Sequence, residues 1–307
     1  MNQESNNHSA GRGTGSDRVS LLMLTASMVI YGTIGIFRRS IPLSSGMLAC
    51  VRGLLGSAFL CAYVKLRGGK LRHGMAREDL VRLIVSGAMI GVNWILLFEA
   101  FNYTSVATAT LCYYMQPVIV ILVSPLYLGE RLTGKKLLCV ACAVLGMFLV
   151  TGLPGAAGAA GAAGHTPAEH LRGVACGLGA AALYAGVIMV NKKGGPVDMW
   201  ERTIIQLFTA AVVLIPYLIL TENFSEIRLT GVQTGLVLIL GIVHTGIAYA
   251  LYFGSMGGLK AQTIALFSYI DPVVALILSA VILGEALTPA GMIGAVLILG
   301  AALFSEL

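Results

Sequence analysis

Ten apolar stretches of about twenty residues, joined by short polar links, take up nearly the whole of this 307-residue chain. They run over approximately 19–37, 43–64, 80–100, 104–128, 135–152, 171–191, 200–219, 230–253, 259–284 and 288–305. Crossing a hydrocarbon core about 30 Å thick takes about 20 apolar residues of α-helix. Inside that core each backbone N–H and C=O must be paired within the protein. The chain therefore reads as an all-α integral membrane protein. Apolar residue types make up 57% of it and charged ones 11%, outside the range of soluble domains, and little is left over to build one.

Two of the stretches nearly repeat each other. Thr108, Leu111, Tyr114, Gln116-Pro117-Val118, Ser124, Leu128-Gly129-Glu130 and Leu132-Thr133 return 155 residues later. The second copy reads Thr263, Leu266, Tyr269, Asp271-Pro272-Val273, Ser279, Leu283-Gly284-Glu285 and Leu287-Thr288. With a shift of 154, Tyr63 matches Tyr217, Gly87 matches Gly241, Leu97 matches Leu251 and Arg38-Arg39 matches Lys192-Lys193. Five helices per half is an odd number, so the second copy enters the bilayer from the opposite side. The expected fold is thus ten transmembrane helices as two inverted five-helix repeats, over 19–152 and 170–305. One site at the bilayer centre can then open to either face in turn. The link 153–169 carries the low-complexity tract Gly155 to Gly164, which reads as a flexible tether. Residues 1–18 read as a disordered cytoplasmic tail, polar and without the apolar core of a cleaved signal.

A net charge of +6 does not point to nucleic acid, because the cations flank apolar helices, where they orient the chain. Fifteen of them fall on one face and only Arg38, Arg39, Arg172 and Arg228 on the other, with Arg52 inside a helix. Both termini are therefore expected in the cytoplasm, and the protein in the inner (plasma) membrane. All six cysteines lie inside apolar stretches and read as packing residues. Cys139 and Cys142 lack the further ligands that a metal needs.

In these residues the chain resembles the drug/metabolite transporter superfamily, specifically its EamA-type members with two five-helix halves. The resemblance covers about 20–305. Its most specific parts are the two Pro-to-Gly-Glu helices, preceded by Phe98-Glu-Ala-Phe-Asn-Tyr103 and Tyr249-Ala-Leu-Tyr-Phe253. It implies a monomeric or homodimeric secondary transporter with a cavity between two EamA-like repeats, typically exporting amino acids or other small metabolites. It implies no single substrate.

Charges at mid-depth are expensive and usually functional. Arg52 and Asp271 both lie near the middle of their segments, and the repeat aligns them with neutral Gln206 and Gln116. They either bind substrate or pair with each other to hold the halves together. His244, aligned with Ile90, is a candidate proton carrier beside a membrane carboxylate; its alternative is a core histidine bonded to a backbone carbonyl. Glu99 lies nearer a helix end, as a gate or an interfacial carboxylate. Pro117 and Pro272 lack N–H groups, so they act as hinges and free the carbonyls of Tyr113 and Ser268. Those carbonyls can bind an ammonium or be satisfied by a hydroxyl. Trp94, Tyr113, Tyr252 and Tyr269 supply amphipathic walls, with Tyr114 and Tyr249 beside them. Tyr113 with Gln116, and Ser268 with Asp271, share helix faces aimed at the cavity. Glu130 and Glu285 mark helix ends, where they are expected to satisfy turn amides or a nearby cation.

Gly129-Glu-Arg-Leu-Thr-Gly134-Lys135-Lys136 falls short of a phosphate-binding loop, lacking the final hydroxyl residue and the preceding strand. No zinc-protease or nucleophile-turn motif is present, so no enzyme, cofactor or metal is expected. The leading reading is a secondary active transporter in the lipid bilayer. It exports a small polar or amphipathic metabolite, amino-acid-like by preference, through alternating access coupled to protons. An importer or exchanger uses the same fold, and a membrane enzyme or lipid scramblase is the rival of a different class.

Overall fold

The computed structural model describes residues 10–69, 75–129, 133–151, 165–193, 195, 197–224, 227–256, 259, 267–285 and 288–306. Among them every regular element is helical. The first half holds α1 (Ala10–Gly32), α2 (Ile34–Arg39), α3 (Ser45–Leu66), α4 (Arg77–Tyr103), α5 (Val106–Tyr113), α6 (Gln116–Leu128) and α7 (Gly134–Thr151). The second holds α8 (Pro167–Lys192), α9 (Met199–Thr221), α10 (Gly231–Leu238), a π-helix (Ile239–Ile247), α11 (Ala248–Met256), α12 (Ile270–Ile282) and α13 (Pro289–Glu306).

These elements make ten spans because three apolar segments are interrupted inside the bilayer. The first span bends between α1 and α2, the fourth breaks between α5 and α6, and the eighth passes through the π-helix. Seven described spans are long and apolar enough to cross a membrane, and α12 and α13 are shorter apolar helices. Several helix starts are closed by side chains. Ser44, Ser105 and Asp198 accept from backbone amides in the first turn, and Thr166 with Glu169 and Thr230 with Gln233 form complete capping boxes. Such caps satisfy amides that low-dielectric surroundings would otherwise leave costly.

The prolines behave differently from kinks inside a continuous helix. α5 ends at Tyr113, and Pro117 occupies the first turn of α6. Pro272 likewise lies in the first turn of α12, after a turn at Tyr269. A proline there gives up no helical hydrogen bond, so each half carries the same break at the same place.

Packing between the halves follows the inverted repeat. α4 lies along α8 as α1 lies along α11, α3 crosses α9, and α7 crosses α13. With lipid outside, close backbone approach replaces hydrophobic expulsion as the driving force, and small residues permit it. At the α7–α13 crossing the approach is reciprocal. A Cβ on Gly146 would lie 2.7 Å from the Gly294 carbonyl oxygen, and one on Gly294 would lie 2.5 Å from that of Gly146. The aligned pair Gly87 and Gly241 each press on the opposite half, against Gln206 and Leu55. The apolar core between α3, α4 and α9 includes Leu48, Leu60, Phe98 and Leu207, all nearly or fully inaccessible. The link over 153–164, Glu130 and the Thr263–Leu266 part of the second motif lie outside the described residues.

Candidate functional site

The two proline breaks face each other across the interface between the halves. Tyr114, the residue at which the fourth span breaks, places its hydroxyl 2.8 Å from Asp271 Oδ2 and 3.3 Å from the Ser268 carbonyl oxygen. It donates to the carboxylate, with the Ser268 carbonyl as a second acceptor. The sequence pointed to Tyr113 on a continuous helix face. Tyr114, its amide still bonded to the Thr110 carbonyl at the end of α5, is the residue whose hydroxyl meets Asp271. Tyr113 packs against Tyr184, ring centres 5.8 Å apart, and interacts electrostatically with Arg52 and Asp271, while the ring centres of Tyr269 and Tyr114 lie 6.3 Å apart.

Arg52 projects from α3 and is 4% exposed. Its Nε–H donates to Thr245 Oγ1 at 2.7 Å, and its guanidinium carbon lies 4.3 Å from the Trp94 ring centre. It interacts electrostatically with Tyr249, Tyr31, Tyr113 and Asp271. Among the described residues it makes no ion pair. The ion pairs there are Arg39–Glu285, Arg82–Glu78 and Arg82–Asp79, so a direct Arg52–Asp271 bridge does not hold the halves together. No described residue accepts from the two terminal guanidinium nitrogens. Five polar atoms are buried without a described partner, Tyr31 Oη, Arg38 Nε, Asn93 Oδ1, Gln116 Oε1 and His165 Nε2, and of these residues Tyr31 acts electrostatically on Arg52. Buried polar groups are seldom left this way in a region built only for packing.

Aromatic rings cluster around Arg52. Tyr31 meets Tyr249 edge-on at 5.7 Å, and Tyr249 and Tyr252 both pack on Phe253. Tyr31 and Tyr184 were not singled out by the sequence; a tyrosine within an apolar span was the available signal in each.

His244 lies in the π-helix, and neither of its ring nitrogens bonds to Asp271. Its Nε2 is 2.7 Å from Thr33 Oγ1 in the α1–α2 bend, its Nδ1 is 3.3 Å from the Ile239 carbonyl, and its ring meets Phe37. Glu99 stands toward the end of α4, where its charge acts on Arg38, outside the aromatic cluster. Arg38 itself donates to Ile41 O and Ser45 Oγ.

At that same end a cluster joins the halves. Arg39 Nη2 donates to Glu285 Oε1 at 2.7 Å and to Thr104 O at 2.9 Å. Glu285 Oε2 accepts from the Val106 amide and from Ser279 Oγ, each at 2.8 Å. The carboxylate is 8% exposed, and each bond to it is charge-assisted. Glu285 thus binds a turn amide and a cation. Among the described residues no group of His, Cys, Asp and Glu is arranged to hold a metal.

The pattern of the EamA-like transporter family matches residues 18–152 and again residues 171–306. The chain belongs to this family. Relatives carry matching names: an uncharacterized transporter, YxxF, of Bacillus subtilis is 28% identical over 86% of this chain and 82% of its own length. Protein PecM of Dickeya dadantii is 29% identical over 72% of each chain. Protein RarD of Escherichia coli is 25% identical over 68% of this chain and 65% of its own. A solved structure titled only as a crystal structure of a protein superposes with a TM-score of 0.63, covering 93% of this chain and 96% of that one. At 24% identity that likeness speaks for the fold alone. Like other members of the EamA-like family, the protein is a multi-pass membrane transporter, with a small molecule as substrate and the bilayer as its medium.

Proposed function

We propose that this transporter is a secondary active exporter of a small amphipathic metabolite bearing a carboxylate, amino-acid-like by preference. It works by alternating access and is coupled to protons. The observation that carries the reading is the pair of opposite charges between the halves, Arg52 from the first and Asp271 from the second, each held by neutral groups instead of by the other. A buried charge left without its counter-ion costs several kcal/mol unless something completes it. A zwitterion offers a carboxylate to the guanidinium and an ammonium to Asp271, with its apolar part against Trp94, Tyr31 and Tyr249. Asp271 also serves as the proton site, Tyr114 donating to its ionised form. With both termini in the cytoplasm, as the loop cations favour, the Arg39–Glu285 cluster lies at the outer end and the solute loads from inside.

A thermal-shift screen of purified protein against amino acids, amines and nucleosides identifies the ligand, since binding to the native state alone raises Tm. Counterflow in proteoliposomes then follows. Wild-type counterflow in both Arg52→Gln and Asp271→Asn would end this reading. Activity on fluorescent phospholipids in place of solutes would favour a scramblase.

A further inference from the structure

Arg52 and the outer closure are linked by a continuous series of contacts. Thr245 Oγ1 accepts from Arg52 and donates to Leu240 O, five residues back, at 3.1 Å. His244, its neighbour, approaches Ile239 O, also five residues back, and reaches Thr33. Both residues sit in the nine-residue π-helix, with Thr245 fully buried and His244 2% exposed. Thr33 is the bend that begins α2, and Phe37, one turn later in α2, packs on the His244 ring with centres 4.6 Å apart. At the far end of α2 is Arg39, held to Glu285. A Cβ on Gly35 would run into Val106, the residue whose amide closes on the same carboxylate. α2 is therefore a short lever, about 9 Å long at 1.5 Å per residue, tied to the π-helix at one end and to the closure at the other.

We infer that a carboxylate bound at Arg52 releases the Arg39–Glu285 closure by way of Thr245, His244 and α2. This rests on the reading of Arg52 as the group that meets the substrate carboxylate. A carboxylate binding the guanidinium side-on takes two parallel N–H donors, one of them Nε–H, and so displaces Thr245. A π-helical turn differs from an α-helix by one inserted residue and is the less stable of the two. Once Thr245 loses its outside partner, the segment relaxes toward α geometry. One residue of helix is about 100° of rotation, which carries His244 away from Thr33 and Phe37. α2 then loses its anchor at the bend, and Arg39 withdraws from Glu285. The two ends are coupled through a discrete two-state element, as a coupling free energy between sites requires.

The test uses the full chain in lipid nanodiscs and follows amide hydrogen exchange by mass spectrometry in the peptide containing Val106. Without ligand, Thr245→Val and Thr33→Val, each close in shape to the residue replaced, should speed exchange at Val106 by about threefold or more, as local opening becomes easier. Thr203→Val, which removes a comparable hydroxyl bond to Met199 O in α9, should leave it unchanged. Wild-type exchange in both of the first two variants, or an equal rise in Thr203→Val, overturns the linkage. A second arm uses Trp200→Phe, which leaves Trp94 as the sole tryptophan, titrated with L-amino acids and with their carboxamides. A responding amino acid should shift Trp94 emission and speed exchange at Val106, while its carboxamide does neither. Thr33→Val should keep the Trp94 response and lose the further gain in exchange. An equal response to the carboxamide would remove Arg52 as the carboxylate group. A Trp94 response with no change at Val106 would remove the linkage alone.

Discussion

Asp271 and Arg52 are the residues at which conservative changes separate binding from folding. Asp271→Asn keeps the side-chain shape, and its aligned partner Gln116 already places a neutral amide at this position. The variant should reach the membrane at wild-type level and lose proton-driven transport by more than about tenfold, equivalent to about 1.4 kcal/mol; absence of folded protein from the membrane would instead assign Asp271 to structure. Arg52→Lys tests geometry at constant charge. An ammonium has no Nε–H to offer Thr245 and no planar face for Trp94, and these are the properties that distinguish arginine from lysine. Binding of the screened ligand should weaken by about tenfold or more, by titration calorimetry, with Tm nearly unchanged. Retained affinity would mean that charge alone suffices.

Among the elements, the crossing of α7 and α13 is the most sharply tested. Gly146→Val sets a side chain where the Gly294 carbonyl stands 2.7 Å from the Cβ position, so the helices must part. The expected result is a fall in Tm of several degrees or loss of folded protein, since overpacking costs about 1–3 kcal/mol. Gly300→Ala, on the same α13 with nothing within 4 Å of its Cβ, should be neutral or raise Tm, because glycine within a helix costs about 0.5–1 kcal/mol against alanine. Equal losses in the two variants would show that helix propensity and not the crossing governs. The broken spans belong to the same scale. Pro117 and Pro272 marked the places of the α5–α6 break and of the turn before α12, but as hinges within a helix and not as helix ends. The π-helix was not legible in advance, because Ile239 to Ile247 has the apolar pattern of an ordinary span and a one-residue insertion leaves no compositional trace.

For the whole molecule the property to test is its sidedness, which sets the side on which the cluster of Arg39, Thr104, Val106, Ser279 and Glu285 lies. Single cysteines at Lys192 and at Arg228, in a background without the native thiols, should be labelled by a membrane-impermeant maleimide from opposite sides, Lys192 from the cytoplasm. The reverse pattern would invert the direction assigned to the closure. Glu285→Gln removes the ion pair while retaining an acceptor for the Val106 amide. It should weaken the outer closure, read as labelling of a cysteine at Thr110 from outside at a rate several-fold above the same cysteine in the wild-type background. An unchanged rate would limit Glu285 to closing the turn.

The apolar run lengths and the duplicated motif were enough to determine the class, the helix count, the inversion of the halves and the family resemblance, since a bilayer admits few solutions to backbone hydrogen bonding and a repeat displays its own symmetry. The same symmetry marked Arg52 and Asp271 as departures from it. Which groups those two charges meet was decided only in three dimensions. Arg52 meets Thr245 and Trp94, and Asp271 meets Tyr114; none of these pairs shares a span, and two of the three join opposite halves. Sequence spacing orders side chains around one continuous helix, so it could not foresee which hydroxyl of the opposite half, that of Tyr114, would bond Asp271. Nor could it bring His244 to Thr33 or Arg39 to Glu285, because those contacts follow from how one half is set against the other, and that is fixed by the packing of glycines and side chains across the interface.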